Sequence, residues 1–201
     1  VQGAIPSGMA RAARARVDSA LAEESNLYVR SGILNSALPI YELLGQNDHA
    51  YQVVLAERGR SATPYYYDAD LGDLAEQMGR STDALRWFAS GYDGARGQAT
   101  RFQWGQQYLA ALLRLAPDQA DLIRRTGEQV LGELDGPDRI YRRGRLRLVR
   151  LDAGLRKWNA DAGGAHADVL KALRARLQQV CVKIPREEAA RASCDGFLAG
   201  A

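Results

Sequence analysis

Ile40 to Val54 reads IYELLGQNDHAYQVV, and Leu74 to Phe88 reads LAEQMGRSTDALRWF. Laid over one another at a shift of 34 residues, they pair Ile40, Glu42, Leu44, Gly45, Ala50 and Val54 with Leu74, Glu76, Met78, Gly79, Ala84 and Phe88. Three of these six pairs are identical and the others conservative. Each stretch ends one helical pattern at a glycine, the residue suited to a left-handed C-cap, and begins another. A small alanine then falls where two helices would cross closely, and a large apolar residue follows one turn later. The unit that repeats is therefore a pair of antiparallel helices.

Outward from this pair, apolar residues recur at helical spacing almost everywhere and β-branched alternation is absent. The chain is expected to be all-α, with about ten helices and no sheet. Helix one follows Pro6 and Ser7, and helix two runs from about Asn26 to Leu44, with Pro39 expected to bend or shorten it. Helix three spans about Asn47 to Arg58, Pro64 opens helix four, and Ser81 or Thr82 is expected to cap helix five. Helix six follows the turn at Gly94 to Gly97, and Pro117 is expected at the first position of helix seven, which reaches Leu134. Gly136 and Pro137 precede a long helix eight, on which Tyr141, Gly144, Leu148, Leu151, Leu155 and Trp158 form one buried seam. A linker at 159–164 then separates an array over 1–158 from a C-terminal helical hairpin over 165–201.

A period of 34 residues filled by helix pairs is the tetratricopeptide signature, and Leu71 and Gly72 match the small-residue pair of its first helix. Asp68 and Ala75 stand where that motif has tryptophan and tyrosine, and its closing proline is missing near Arg96. The hairpin Arg101 to Leu134 places Trp104 and Ala120 suitably but needs two extra residues. The expected architecture is a stack of antiparallel hairpins of tetratricopeptide-like kind; an unrelated antiparallel bundle is the other reading.

Composition narrows function mainly by exclusion. Of 201 residues 46% are apolar and 25% charged, the balance of an ordinary folded domain. The 27 basic residues, mostly arginine, nearly offset 24 acidic ones, so charge alone does not mark a nucleic-acid binder. No apolar run approaches the roughly 18 residues of a membrane span, so no membrane insertion is expected. The chain opens on Val1 without a leader, and a processed protein or a fragment is expected.

His49 and His166 lie more than a hundred residues apart, so no metal site is expected, and both are read as exposed capping or solvent residues. There is no nucleophile elbow, no cysteine–histidine pairing and no phosphate-cradling loop, so neither a catalytic centre nor a cofactor is expected. Arg139, Arg142, Arg143, Arg145, Arg147 and Arg150 invite a nucleic-acid reading, but most sit off the apolar seam and no aromatic residues interleave them, so a solvated face is preferred. Tyr65, Tyr66, Tyr67, Arg101 and Trp104 are the candidate binding residues, being of the types enriched at binding hot spots. In the competing reading Tyr66, Phe102 and Trp104 fill the core and Arg101 pairs with Asp68 or Asp70. Cys181 and Cys194, with Pro185 turning the chain between them, are expected to form a structural disulfide; two buried free thiols are the alternative.

Thr63 to Tyr66 (TPYY), Leu71 to Gly79, Gln98 to Gly105 (QATRFQWG), Leu115 to Pro117 and Leu151 to Trp158 (LDAGLRKW), with the C-terminal cysteine pair, resemble the helical region that follows the thioredoxin domain in a group of bacterial exported thioredoxin-fold proteins. The resemblance covers roughly residues 25–198. It implies a periplasmic or secreted helical partner of a thiol-disulfide module, with a protein or peptide partner that includes an upstream thioredoxin domain. No Cys-x-x-Cys motif is present, so that family's redox chemistry carries onto no residue here. The expected function is a non-catalytic binding or scaffolding domain; the alternatives are a regulatory or substrate-presenting portion of a thiol-disulfide oxidoreductase and, third, nucleic-acid binding through the arginine-rich helix.

Overall fold

The computed structural model describes residues 7–135, 140 and 142–200. Among them are ten helices and no strand: α1 (Ser7–Glu23), α2 (Leu27–Leu43), α3 (Asn47–Arg60), α4 (Tyr65–Gln77), α5 (Ser81–Gly94), α6 (Gln98–Leu115), α7 (Ala120–Gly132), α8 (Arg142–Asp161), α9 (Ala167–Cys181) and α10 (Ala189–Gly196). The protein is all-α. The readings at Pro6, Gly136, Pro137, Arg139 and Tyr141 lie outside the described residues, as do those on the side chains of Arg142 and Arg143. The chain forms two compact units, Val1–Trp87 and Phe88–Ala201, so the division falls within α5.

In the first unit α1 packs on α2, α2 on α3 and α3 on α4. Asn26 caps α2, its Oδ1 accepting the N–H groups of Tyr28 and Val29, and the helix passes through Pro39 without ending. The turns after α2 and α4 repeat bond for bond. Leu44 N–H donates to Ile40 O and Met78 N–H to Leu74 O; Gln46 N–H donates to Tyr41 O and Arg80 N–H to Ala75 O, both at 2.8 Å. Gly45 and Gly79 sit at φ +66° and +72°, the left-handed conformation the bonds require. Ala50 and Ala84 are both fully buried. The 34-residue period thus repeats a turn geometry as well as a pattern of letters.

Two corrections concern helix starts. α5 begins at Ser81, which places Ser81 and Thr82 inside its first turn instead of at its cap. Pro117 stands three residues before α7, in a turn that leaves its carbonyl free of the helix to accept Trp158 Nε1–H at 2.9 Å.

In the second unit α6 and α7 are antiparallel and very close. A Cβ on Gly105 would lie 2.6 Å from Val130 Cγ2, and one on Gly127 would lie 3.5 Å from Leu109 Cδ2 and 2.6 Å from Leu173 Cδ2. These glycines are demanded by packing. Arg147 reaches Gln103, Gly154 faces Leu113 and Trp158 bonds Pro117, so α8 runs parallel to α6. Gly127 meets Leu173 and Asp135 pairs with Lys183, so α9 runs parallel to α7. Two antiparallel hairpins, α6/α7 and α8/α9, are therefore stacked in register, the arrangement by which helical repeats bury a continuous core. The seam of α8 is buried at Gly144, Leu148, Leu151, Leu155 and Trp158.

The segment 159–164, read as a linker, holds the last residues of α8 and a closed turn: Gly164 N–H donates to Asn159 O, and Asn159 Oδ1 accepts His166 N–H. Gly163 and Gly164 take positive φ there. Cys181 and Cys194 are bridged, their α-carbons 5.9 Å apart, which holds α10 against the end of α9.

Candidate binding surfaces

The helices of the first unit are fixed by buried polar groups at their crossings. Arg30 on α2 donates from Nε to Glu57 Oε2 on α3 at 2.8 Å and from Nη2 to Glu57 Oε1, while Nη1 donates to the carbonyls of Leu21 and Glu24 at the end of α1. Asp18 on α1 accepts from Tyr41 OH (3.2 Å) and meets His49 Nε2 at 2.9 Å. His49 is thus a member of a three-helix polar cluster and not a solvent-facing cap; its ring also meets Tyr41 edge-on at 5.2 Å. At the next crossing Trp87 Nε1–H donates to Tyr51 OH, and the Arg58 guanidinium lies over the Trp87 ring while pairing with the buried Asp68.

Several large apolar side chains remain on the outside of this unit, among charged ones. Tyr28 is 88% exposed and Leu43 65%, with Leu27, Val29, Ile40 and Tyr66 also exposed. A groove of ≈ 620 Å³ runs between α1 and α2 over Val17, Ala20, Val29, Gly32 and Ala37, and Tyr28 joins it to a smaller hollow of ≈ 290 Å³ beside Tyr66 and Tyr67. Gly32 sits mid-helix at ordinary φ with nothing near its α-carbon. Neither backbone nor packing asks for glycine there, so its effect is to leave the groove deep. Of the tyrosines singled out in the sequence, Tyr65 stacks on Tyr66 at 4.6 Å, and Tyr66 and Tyr67 line the hollow.

Arg101 and Trp104 lie on α6 in the second unit. Arg101 pairs with Glu133 on α7 at 2.8 Å and covers the Tyr92 ring, which corrects the competing reading that paired it with Asp68 or Asp70: its guanidinium is spent across its own hairpin. Phe102 and Trp104 are buried, whereas Tyr66, grouped with them as core, is half-exposed. A cavity of ≈ 740 Å³ lies in this unit between the parallel helices α6 and α8. Ala110, Leu113 and Gly154 form its floor, and one end is closed by Trp158 with the His166 ring stacked on it at 3.8 Å, the two planes nearly parallel. His166 is therefore half-buried against an aromatic face. Sequence reasoning named Pro117, Arg150, Trp158 and His166 of this lining for other reasons and did not bring them together, because a groove between helices some forty residues apart leaves no local signal.

Among the described residues no group of His, Cys, Asp and Glu is placed to hold a metal ion, and no helix is long and apolar enough to cross a membrane. The pKa of the Asp70 carboxyl, on α4, is driven upward: burial, then the Asp73 and Glu42 carboxylates, push it to about 6. A raised carboxyl pKa means that folding takes up a proton, so this group weakens the fold above pH 6 and the penalty fades as pH falls toward the free value of 3.8. Asp70→Asn is expected to stabilise the protein by roughly 1–2 kcal/mol at pH 7.5 and by nothing at pH 4. Urea denaturation at both values checks this; an equal effect at both would remove the titration as its cause.

In comparisons with known proteins, no family model, no curated protein and no solved structure matches the chain.

Proposed function

We propose that the chain is a non-catalytic, tetratricopeptide-like binding module that docks an amphipathic helix of a protein partner on the outer face of α2. The observation that carries this is the row Tyr28, Val29, Ile33, Ala37 and Ile40 of α2 that lines a groove kept open at Gly32. Isolated exposed hydrophobes are ordinary, but a contiguous strip marks an interaction surface. Gly32 and Ser36 are one turn apart on the groove's floor, and small residues at that spacing let a second helix approach. Arg16 at the rim makes no ion pair among the described residues, which favours an acidic residue beside the partner's apolar face. The repeated turns at Gly45 and Gly79 and the stacked hairpins of the second unit support the tetratricopeptide-like description. The Cys181–Cys194 bridge favours an oxidising compartment, in line with a periplasmic or secreted partner of a thioredoxin-fold domain. With both sulfurs bridged and buried, a thiol-exchange role for this chain is the weaker reading.

A display library of stapled amphipathic helices panned on the protein tests this. Binders are expected whose affinity falls at least tenfold in Tyr28→Asp and in Ile40→Asp, both changes at exposed positions. Binders indifferent to both changes, or none at all, would refute the proposal.

A further inference from the structure

We propose that the groove between α6 and α8 is a second, independent binding site, for an extended peptide segment carrying an acidic and a basic side chain about four residues apart. Three observations lead there.

The first is the glycine in the floor. Gly154 lies inside α8 at an ordinary φ, where glycine is the poorest helix former after proline. A Cβ there would meet Leu113 Cδ1 at 3.5 Å, an ordinary contact, so packing does not exclude a side chain. This is unlike Gly105 and Gly127, where an added Cβ would collide at 2.6 Å. What the missing side chain at 154 does is keep the groove open between Ala110 and Trp158.

The second is the charge along the groove. Lys157 and Asp161 pair with each other at 2.8 Å and cancel, while Arg114, its Nη1 on the floor carbonyl of Ala110, has a further partner. Arg150 and Asp118 each line the groove without a hydrogen bond or ion pair among the described residues. An unpaired cation thus stands at one end and an unpaired anion at the other.

The third is their spacing. The Trp158–Pro117 bond sets Asp118 level with Trp158, eight residues along α8 from Arg150, or about 12 Å at 1.5 Å per residue. An extended chain covers that distance in about four residues, and side chains at i and i+4 of a strand point the same way. The apolar floor between them takes the residue midway. A nucleic acid fits this pattern poorly, since the Asp118 carboxylate at one end repels phosphates.

The test uses four fluorescein-labelled nonapeptides of one threonine-rich sequence, chosen to stay extended, with positions four apart occupied by Asp and Lys, by two Asp, by two Lys or by two Gln. Fluorescence anisotropy on the wild-type protein is expected to show the mixed peptide binding at least tenfold more tightly than the other three. Arg150→Glu leaves both ends acidic and is expected to shift the preference to the two-Lys peptide; Asp118→Lys leaves both basic and shifts it to the two-Asp peptide. Gly154→Leu is expected to weaken the mixed peptide at least tenfold, while the α2 variants Tyr28→Asp and Ile40→Asp leave it unchanged. Both charges are exposed, and circular dichroism confirms that each variant folds. Four probes that bind alike, no probe that binds, or a preference unmoved by either charge reversal overturns the proposal.

Discussion

Glu57→Ala is expected to cost about 3–5 kcal/mol, the range found when one partner of a buried ion pair is removed. Arg30 is only 6% exposed and Glu57 only 4%, so the truncation leaves a guanidinium in the interior with its Nε and Nη2 donors unmatched. The carbonyls of Leu21 and Glu24 do not compensate, since they already take Nη1. Arg30→Met is expected to cost less: Glu57 retains Arg60 at 3.1 Å, and what is lost besides the pair is the clasp on the end of α1. In Arg30→Met with Glu57→Leu the two losses are expected to be strongly non-additive, the double variant being more stable than Glu57→Ala alone. Equilibrium urea denaturation of the variants measures all three. A cost below about 1 kcal/mol for Glu57→Ala would mean that water reaches the pair and that it does not fasten α1, α2 and α3.

The same pair sets the acid limb of stability. The hydrogen bond from Arg30 holds the Glu57 carboxyl below its ordinary value of 4.5, and His49 and Tyr41 hold Asp18 low despite partial burial. A lowered carboxyl pKa contributes stability that is present above the unfolded value and lost as pH falls through the folded one. Asp70 acts in the opposite sense between pH 6 and its free value. Of these three groups, then, Glu57 and Asp18 favour the fold above their unfolded values, and Asp70 opposes it increasingly as pH rises from its free value past about 6.

The helices were legible because their signals are local. A glycine after an apolar run marks Gly45 and Gly79 wherever the rest of the chain goes, and the 3–4 spacing on α8 marks its buried side without knowledge of what covers it. Pro117 misled because a proline suits a helix start and a turn before one equally well; the choice is made by Trp158, forty-one residues on, which takes its carbonyl. Arg101 was legible as a residue in need of a partner but not as Glu133's, because which acid it meets depends on how far α7 slides along α6, and that register is fixed by Gly105 and Gly127. Those two glycines read in the sequence as weak points in helices. Only the distance to Val130 and Leu173 separates them from Gly32 and Gly154, which nothing crowds. The candidate grooves were hidden for that reason: a glycine that permits contact and a glycine that preserves a gap are the same letter.

Cys181→Ser with Cys194→Ser is expected to lower stability by roughly 3 kcal/mol, the chain-entropy value for opening a loop of about 14 residues. The alternative is that the bridge adds little because the C-terminal segment is already pinned. Phe197 and Leu198 are buried, Leu198 N–H donates to Asp152 Oδ1 at 2.6 Å, and Arg156 and Arg174 donate to the carbonyls of Ala199 and Leu198. These contacts lie beyond α10, on the far side of the loop from Cys181. With the bridge they close a ring from α8 through α9 and α10 back to α8; without it, α10 and its turn at 182–188 hang between two anchors. The eight-residue helix is too short to hold its own conformation in water, and only Ala190 and Cys194 of its residues are buried. The double serine variant is therefore expected to lose amide-exchange protection in 189–196 first, with the α7–α9 packing retained. Asp152→Ala, which frees the other anchor, is expected to cost more in the serine background than in wild type, since either constraint alone limits the same segment. Hydrogen exchange and urea denaturation of the three proteins decide between the accounts: a small loss in the serine variant with α10 still protected would show that the tail alone holds the segment, additive losses that the two constraints act independently, and a greater-than-additive loss that each backs up the other.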